Sequence, residues 1–471
     1  MRLLLRIAAI AVAGAALYEV GSVNAAVQLR PSPAGGLFTA TILAAALVLL
    51  AMSLTGTGQG DAREVPSPAL VGPMRATFLF VSLASLVGLA WLRGIPYPPS
   101  HDATPYHNDA IALNECAAQA LLRGEDPYNG FSLFHCYDER RLGPDRTTPL
   151  KRGAFADIEV YPTEEQLDAA WDARQREVAR CIGCLQRVEP SDLEFVSRPS
   201  YPALSIVLIL PWIALGWDAN VLYVLCLIAA MALILARATP SARAFVLTGL
   251  LGAVSLTAFT VGGSADLLYA LPLVAAWLWR ENRWSAIALG VSCAVKQLAW
   301  PFAAFYLIQV AAQQGWREAA RRAAIAAGLF AAVNAPFVLW DARAWALGML
   351  TPASEPMFPR GAGLISISTS GLASLLPVSV YLGLEAVAAV AVLAIAWRTR
   401  RTSPELGLVL AMVPLYFASR SLFSYFFLLP LFAFAAIARM PAGELSSEVA
   451  RASGALTFLA MPAPERSAAR T

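Results

Sequence analysis

The chain has 471 residues, of which 58% are hydrophobic and only 14% are charged, and its mean hydropathy is +0.58. A soluble domain carries about 25% charged residues, so the composition excludes an ordinary soluble protein and favours a multi-pass membrane protein. The 35 basic and 32 acidic side chains leave a net charge of +3. Nucleic acid is therefore a poor candidate partner, since no basic surplus is available to neutralise its backbone.

About twelve apolar runs follow one another along the chain, and each is predicted to be a membrane-spanning helix. They lie near Leu3–Val20, Leu37–Leu54, Ala76–Leu92, Asn220–Ala236, Phe245–Val261, Ala265–Leu278, Ser285–Val295, Ala299–Ala312, Ala323–Leu339, Val380–Ala396, Leu406–Ala418 and Leu422–Ile437. Two further stretches, 201–217 and 364–377, are short and interrupted by prolines, so we expect in-plane or re-entrant helices there. The sequence thus predicts an all-α polytopic membrane protein.

The charges are distributed unevenly. Residues 94–200 contain 11 Lys/Arg and 18 Asp/Glu, a net charge of −7, which leaves +10 for the rest of the chain. Because positive residues concentrate on the cytoplasmic side, we expect both termini in the cytoplasm and the 94–200 loop outside. The predicted organisation is three transmembrane helices in 1–93, this extracytoplasmic loop, the remaining bundle in 201–440 and a cytoplasmic tail in 441–471. The first run also fits a cleavable signal peptide, which would not change the orientation of later helices.

Four of the six cysteines lie in the predicted outer loop, namely Cys116, Cys136, Cys181 and Cys184. An exported loop permits one or two disulfides, and four cysteines allow three pairings. Pairing Cys116 with Cys136 and Cys181 with Cys184 keeps both closed loops short. A metal site at Cys181 and Cys184 would need further ligands, and the histidines are far away in sequence, so no metal site is predicted.

Polar residues follow the third apolar run and surround a predicted helix. Asp109 stands near the start of this helix, where the positive end of the helix dipole stabilises a carboxylate. A capping role alone would account for it. However, a carboxylate just outside a membrane helix is also well placed to act as a general base.

Three further charged residues lie at the predicted outer ends of later helices. Asp266 follows two glycines at a helix start, and Lys296, next to Gln297, is one of only two lysines in the chain. Arg420 is a positive residue on the predicted outer side, whereas most arginines of the chain are predicted to lie on the cytoplasmic side. Purely structural roles, namely helix capping and snorkelling to the membrane interface, are the alternatives. However, a charged side chain at membrane depth is by default a candidate functional residue. Together with Asp109, these groups suit an anionic, lipid-anchored substrate.

The pattern that carries a family resemblance consists of Asp109, Ala117–Leu122, Gly124, Pro127-Tyr128, Tyr201–Leu204, Pro211, Gly262–Asp266 and Lys296 followed by Pro301. It resembles the GT-C superfamily of integral-membrane glycosyltransferases. The nearest resemblance is to glycosyltransferase family 87, the bacterial polyprenyl-phosphate-mannose-dependent mannosyltransferases and relatives, over roughly residues 75–322. Ser264-Ala265-Asp266 departs from the Gln-x-Asp often found there, so a glutamine contact is absent, and Ala203 replaces a proline.

The resemblance implies a GT-C-like enzyme of the bacterial inner membrane. Such an enzyme transfers mannose or another hexose or pentose from polyprenyl phosphate, with inversion, to a hydroxyl on a glycolipid, glycan or protein acceptor. Asp109 occupies the position of the general base, and the charges of Lys296 and Arg420 fit the donor phosphate. The substrate-binding residues expected are His107, Glu115, Tyr128, Tyr201, Asp266, Lys296, Gln297 and Arg420.

No cofactor is expected, and a divalent ion between the phosphate and Asp266 is the alternative. Two other functions fit a polytopic chain. One is a lipid-sugar flippase or transporter, which would also keep charges at membrane depth. The other is a non-catalytic membrane scaffold whose acidic loop binds a partner.

Overall fold

A computed structural model describes residues 2–29, 31–56, 109–129, 133–139, 161, 163, 165–166, 169, 199–217, 219–261, 263–354 and 359–440. The predicted run near 76–92, His107, Cys181, Cys184 and the tail 441–471 lie outside these residues. At Asp109 the backbone is described but the side chain is not.

The described residues are mostly helical, with one two-residue pair of strands. In chain order the elements are α1 (Arg2–Leu29), α2 (Pro33–Ser53), α3 (Asp109–Leu122), α4 (Leu133–Glu139), α5 (Leu204–Val207), α6 (Leu210–Ala214), α7 (Ala219–Arg237), α8 (Pro240–Gly252), α9 (Val254–Val261), α10 (Leu267–Leu278), α11 (Ser285–Val295), α12 (Trp300–Gln314), α13 (Trp316–Trp340), α14 (Ala342–Ser354), β1 (Arg360–Gly361), α15 (Ile365–Thr369), α16 (Val378–Thr399), α17 (Gly407–Leu410), α18 (Val413–Phe417), β2 (Arg420–Ser421) and α19 (Leu429–Ile437). Short 3-10 helices lie at Gln297–Ala299, Pro404–Leu406 and Phe423–Tyr425.

Five helices in the described part of the chain are long and apolar enough to cross a membrane. They are Leu5–Val27 within α1, then α2, α7, α13 and α16. The bent pair α8 and α9, with 55° between its two parts, gives a sixth span if it is counted as one. The multi-pass helical class is therefore supported, whereas the predicted number of about twelve spans is not confirmed.

Several apolar runs that we predicted to span the membrane form shorter helices. The α10 and α11 helices have 12 and 11 residues, and the run near 406–418 is divided among a 3-10 helix, α17 and α18. At 1.5 Å per residue, none of these reaches across about 30 Å of hydrocarbon. Proline and charged turns end them early, a limit that average hydropathy does not detect. The proline-rich stretches 201–217 and 364–377 likewise contain only the short helices α5, α6 and α15.

The core is built around α19, whose nine residues are all buried. The α1 and α2 helices form a hairpin beside it, and the buried Arg6 guanidinium closes that hairpin. Its Nη1 donates to the carbonyl of Ser53 at 2.6 Å and its Nη2 to that of Thr55 at 2.9 Å. The last carbonyls of a helix have no partner within the helix, so Arg6 satisfies groups that burial would otherwise leave unpaired.

Helix α16 lies at the periphery. Its large apolar side chains are exposed, with Val387 and Val390 each 68% accessible, and Leu339 at the end of α13 is 85% accessible. Exposed apolar surface on this scale requires an apolar environment. These faces are therefore suited to contact lipid chains.

At one end of α10 a buried ion-pair network joins three parts of the chain. Arg280 binds Glu405 in a bidentate manner at 2.6 and 2.9 Å, and Trp277 Nε1 donates to the same carboxylate at 2.6 Å. Arg439 Nε approaches Glu405 at 3.3 Å and its Nη2 pairs with Glu281. The network fixes this end of α10 against the segment before α17 and the residues after α19.

Candidate active site

The α10–α11 hairpin brings an acidic and a basic side chain together, at the end opposite the ion-pair network of Arg280 and Glu405. The two helices are joined by a short turn, so residues before α10 and after α11 meet. Asp266 precedes α10, and Lys296 follows α11 in extended conformation. Lys296 Nζ forms an ion pair with Asp266 Oδ1, and the two side chains are only 12% and 5% exposed. The structure therefore holds a nearly buried charge pair where the sequence placed two separate candidates.

The turn before Asp266 adds a further contact to its carboxylate. Ser264 Oγ donates to Asp266 Oδ2 at 3.2 Å. Gly263 has φ +88°, a conformation that glycine adopts without the steric cost paid by other residues. Ser264 stands where the family resemblance leads one to expect glutamine, and it still contacts the aspartate.

Aromatic residues line the ion pair. The Lys296 ammonium lies 4.7 Å from the ring centroid of Tyr201, within the range of a cation–π interaction. Tyr425 is partly buried and close enough to interact electrostatically with Lys296, Arg420, Tyr201 and Asp266. Arg420 and the Asp266–Lys296 ion pair are thus both within electrostatic range of Tyr425. Four of the predicted site residues, Tyr201, Asp266, Lys296 and Arg420, belong to one neighbourhood.

A second arginine, which the sequence reasoning missed, accompanies Arg420. The strands β1 and β2 are parallel, with Arg360 opposite Arg420 and Gly361 opposite Ser421. Both arginines are partly buried. Gly361 has φ +145°, and a Cβ there would meet the Ser421 carbonyl oxygen at 2.0 Å, so the close pairing requires glycine. The available signal was an arginine four residues before the predicted in-plane stretch 364–377.

Two other predicted substrate-binding residues, Tyr128 and Gln297, hold the backbone beside the site. Tyr128 Oη donates to the Tyr201 carbonyl at 2.7 Å, and Gln297 Nε2 donates to the Ser200 carbonyl at 2.6 Å. The buried Asn334, which the sequence reasoning also missed, accepts the Ala203 N–H at 3.1 Å through Oδ1. These three contacts position Tyr201 next to Lys296.

Helix α3 carries two more of the predicted residues, Asp109 and Glu115. It begins at Asp109, and Glu115 within it is buried. A disulfide joins Cys116 to Cys136, with a Cα–Cα distance of 5.9 Å, so α3 and α4 are covalently linked. The positions of the Asp109 side chain, His107, Cys181 and Cys184 lie outside the described residues.

Two carboxylates that the sequence analysis did not single out lie in loops at this end. Burial raises the pKa of Asp126 above its ordinary value, and repulsion from Asp341 adds to the effect, although the Tyr128 N–H opposes it. The Ala344 N–H holds the pKa of Asp341 below its usual range, and Asn129 Nδ2, which donates at 3.2 Å, adds to this. The two environments therefore shift the pKa values of these carboxyl groups in opposite directions, upward for Asp126 and downward for Asp341.

The charge balance of the neighbourhood is positive. Lys296, Arg360 and Arg420 contribute three cations, and Asp266 contributes one anion. In the described part of the chain there is no group of three His, Cys, Asp or Glu side chains that could hold a metal ion. The excess of two positive charges suits an anion of charge about −2, such as a phosphate.

Comparison with known families gives one match. Residues 199–423 match glycosyltransferase family 87, which confirms the resemblance inferred from the sequence and indicates a membrane glycosyltransferase. The matched range contains Tyr201, Asp266, Lys296, Arg360 and Arg420. It starts after the Asp109 region, which the sequence resemblance included. Neither the curated proteins nor the solved structures gave a match.

Proposed function

The chain matches glycosyltransferase family 87 across residues 199–423, and from that premise we propose that it transfers a sugar from a polyprenyl-phosphate donor to a hydroxyl acceptor. The observation that carries the proposal lies within the matched range: the Lys296–Asp266 ion pair lies against Tyr201, Arg420 is in electrostatic range of the adjacent Tyr425, and Arg360 is the strand partner of Arg420. We place the reaction at the extracytoplasmic side of a bacterial inner membrane. The donor sugar is mannose or a related hexose or pentose, and the acceptor is a glycolipid, glycan or protein.

In the proposed reaction Asp109 acts as general base. Its carboxylate takes the proton of the acceptor hydroxyl, whose oxygen forms a bond to the anomeric carbon from the face opposite the phosphate. The bond between that carbon and the phosphate oxygen breaks, and the electron pair leaves with polyprenyl phosphate. The anomeric configuration is inverted.

The leaving group sets the requirement for positive charge. Negative charge develops on the phosphate as the bond breaks, and fixed cations stabilise it in a site shielded from water. Lys296 and Arg420 are assigned to the donor phosphate, and Arg360 joins them because it pairs with Arg420. A phosphate departs without protonation, so one essential carboxylate suffices, in contrast to glycoside hydrolysis. The proposal includes no cofactor.

The experiment that tests this function uses purified protein and a radiolabelled polyprenyl-phosphate sugar. Wild type is expected to transfer label to an acceptor fraction, and Asp109→Asn is expected to abolish transfer while lipid-sugar binding remains. Asp126→Asn is the matched control, since it removes a carboxylate from the turn after the same helix. It is expected to retain transfer.

Two results would contradict the assignment. Full transfer by Asp109→Asn would remove Asp109 as the base. Movement of the intact lipid-sugar across a vesicle membrane, with no transfer by wild type, would instead favour the flippase or transporter alternative. Binding to a protein partner without either activity would favour a scaffold.

A further inference from the structure

A cavity of about 670 Å³ lies at the end of the bundle opposite the Asp266–Lys296 pair. The ends of α7 and α16 border it, together with the turn after α10 and the residues after α19. Small-molecule sites have volumes of about 300–1,000 Å³, so this space is large enough for a ligand. The active-site proposal makes no use of it.

The lining is strongly basic. Five arginines and two glutamates border the cavity, which leaves a net charge of +3. The arginines are Arg237, Arg280, Arg400, Arg401 and Arg439, and the glutamates are Glu281 and Glu405. Arg280 and Arg439 are paired with the two glutamates. The uncompensated charge therefore comes from the other three arginines.

Two of these three, Arg237 and Arg401, are exposed and make no side-chain hydrogen bond or ion pair to the described part of the chain. Independently, the Nε of Arg280 is buried without a hydrogen-bond partner among the described residues, and Arg280 is 2% exposed. A buried N–H without an acceptor costs free energy. An anion in the cavity would supply both the missing acceptor and the missing negative charge.

Aromatic residues indicate the membrane depth of the cavity. Trp316 at the start of α13 and Trp397 near the end of α16 stack with ring centroids 5.6 Å apart, and both are exposed. The Arg400 guanidinium lies 4.0 Å from the centroid of the Trp397 ring. Tryptophan concentrates at the boundary between lipid chains and headgroups. Through Arg400, which lines the cavity and contacts Trp397, this preference favours a position of the cavity near the lipid headgroups.

We propose that this arginine-lined cavity binds the phosphate of an anionic lipid headgroup, with Arg237 and Arg401 supplying the uncompensated charge. Free phosphate shares the recognised chemistry, but the tryptophan pair at the boundary favours the lipid. The site is distinct from the active-site neighbourhood, because the whole length of α10 separates Arg280 from Asp266.

The test uses the full chain in phosphatidylcholine nanodiscs, with native mass spectrometry to count bound phosphatidylglycerol as its fraction is increased. The test variant is Arg237→Gln/Arg401→Gln. The matched control is Arg283→Gln/Arg317→Gln, which removes two arginines from the same end without touching the cavity lining. Each arginine near an anionic headgroup contributes about fivefold in affinity, so the test variant, which lacks two, should bind phosphatidylglycerol about 25-fold more weakly. The control should match wild type.

Inorganic phosphate added to the same samples separates the two sources. Displacement of phosphatidylglycerol by millimolar phosphate would support recognition of the phosphate group itself. Binding of inorganic phosphate with no preference for phosphatidylglycerol over phosphatidylcholine would overturn the lipid assignment. Equal phosphatidylglycerol binding by the test variant and the control would overturn the proposed site. Cross-linking of residues 441–471 to Arg401→Cys would also overturn it, because the cavity would then be occupied by the chain itself.

Discussion

Neutralising Lys296 should separate its role in transfer from its role in folding. We expect Lys296→Met to lose transfer activity and also to destabilise the protein. Methionine keeps the length of the side chain but removes its charge, which leaves the Asp266 carboxylate, 5% exposed, without its cation. Removing one partner of a buried ion pair costs about 3–5 kcal/mol, so low activity of this variant alone would be ambiguous.

The double variant Lys296→Met/Asp266→Asn resolves the ambiguity. It removes both charges, so no carboxylate is left uncompensated, and most of the lost stability should return. Ser264 Oγ can still donate to the asparagine oxygen. Transfer should nevertheless stay about 10²–10³-fold below wild type, the usual effect of deleting one group that stabilises developing negative charge.

The assay pairs two measurements on each protein. Thermal denaturation in detergent reports stability, and initial rates of label transfer across a donor titration report kcat and KM. Asp266→Asn alone is the third corner of the cycle and should destabilise the protein, because Lys296 then loses its anion. Wild-type transfer by the double variant would refute the reasoning and reduce Lys296 to a structural partner of Asp266.

Three further predictions concern other parts of the structure. Arg360→Met should raise the donor KM by about the same factor as Arg420→Met, since the two arginines are paired across β1 and β2. An unchanged KM in a donor titration would remove Arg360 from the phosphate site. Cys116→Ser should cost about 2–4 kcal/mol by opening a link between α3 and α4, seen as a lower denaturation midpoint that reducing agent does not lower further. Glu405→Gln should cost about 3–5 kcal/mol in chemical denaturation, since Arg280 and Arg439 lose their shared anion, and a neutral effect would show that solvent compensates them.

The sequence was most informative where a feature is local. Apolar runs predicted the long helices α2, α7, α13 and α16, because burial or lipid contact along a whole helix leaves a continuous signal. Charges at helix ends identified Asp266 and Lys296, because a helical hairpin brings the ends of its two helices together. The short-loop disulfide pairing of Cys116 with Cys136 is the pairing that the structure contains.

The sequence was least informative where contacts are distant. Helices α15 to α18 lie between Arg360 and Arg420 in the chain, and nothing local predicts that two-residue strands will pair them in parallel. Glu405 likewise receives hydrogen bonds from Trp277, Arg280 and Arg439, which come from distant parts of the chain. Such partners can be recognised only when the packing of several helices is known.

The length of the α10–α11 hairpin sets how deep the proposed reaction takes place. With 12 residues, α10 spans about 18 Å, whereas the hydrocarbon layer is about 30 Å thick. A hairpin whose arginine-bearing end sits at the headgroups of one leaflet therefore ends about 10 Å short of the opposite headgroups. A donor phosphate that reaches Lys296 must sink below its own leaflet's surface, and the acceptor hydroxyl must descend to meet it. An acceptor with a slender, extended end would reach such a recessed site more easily than a bulky folded one.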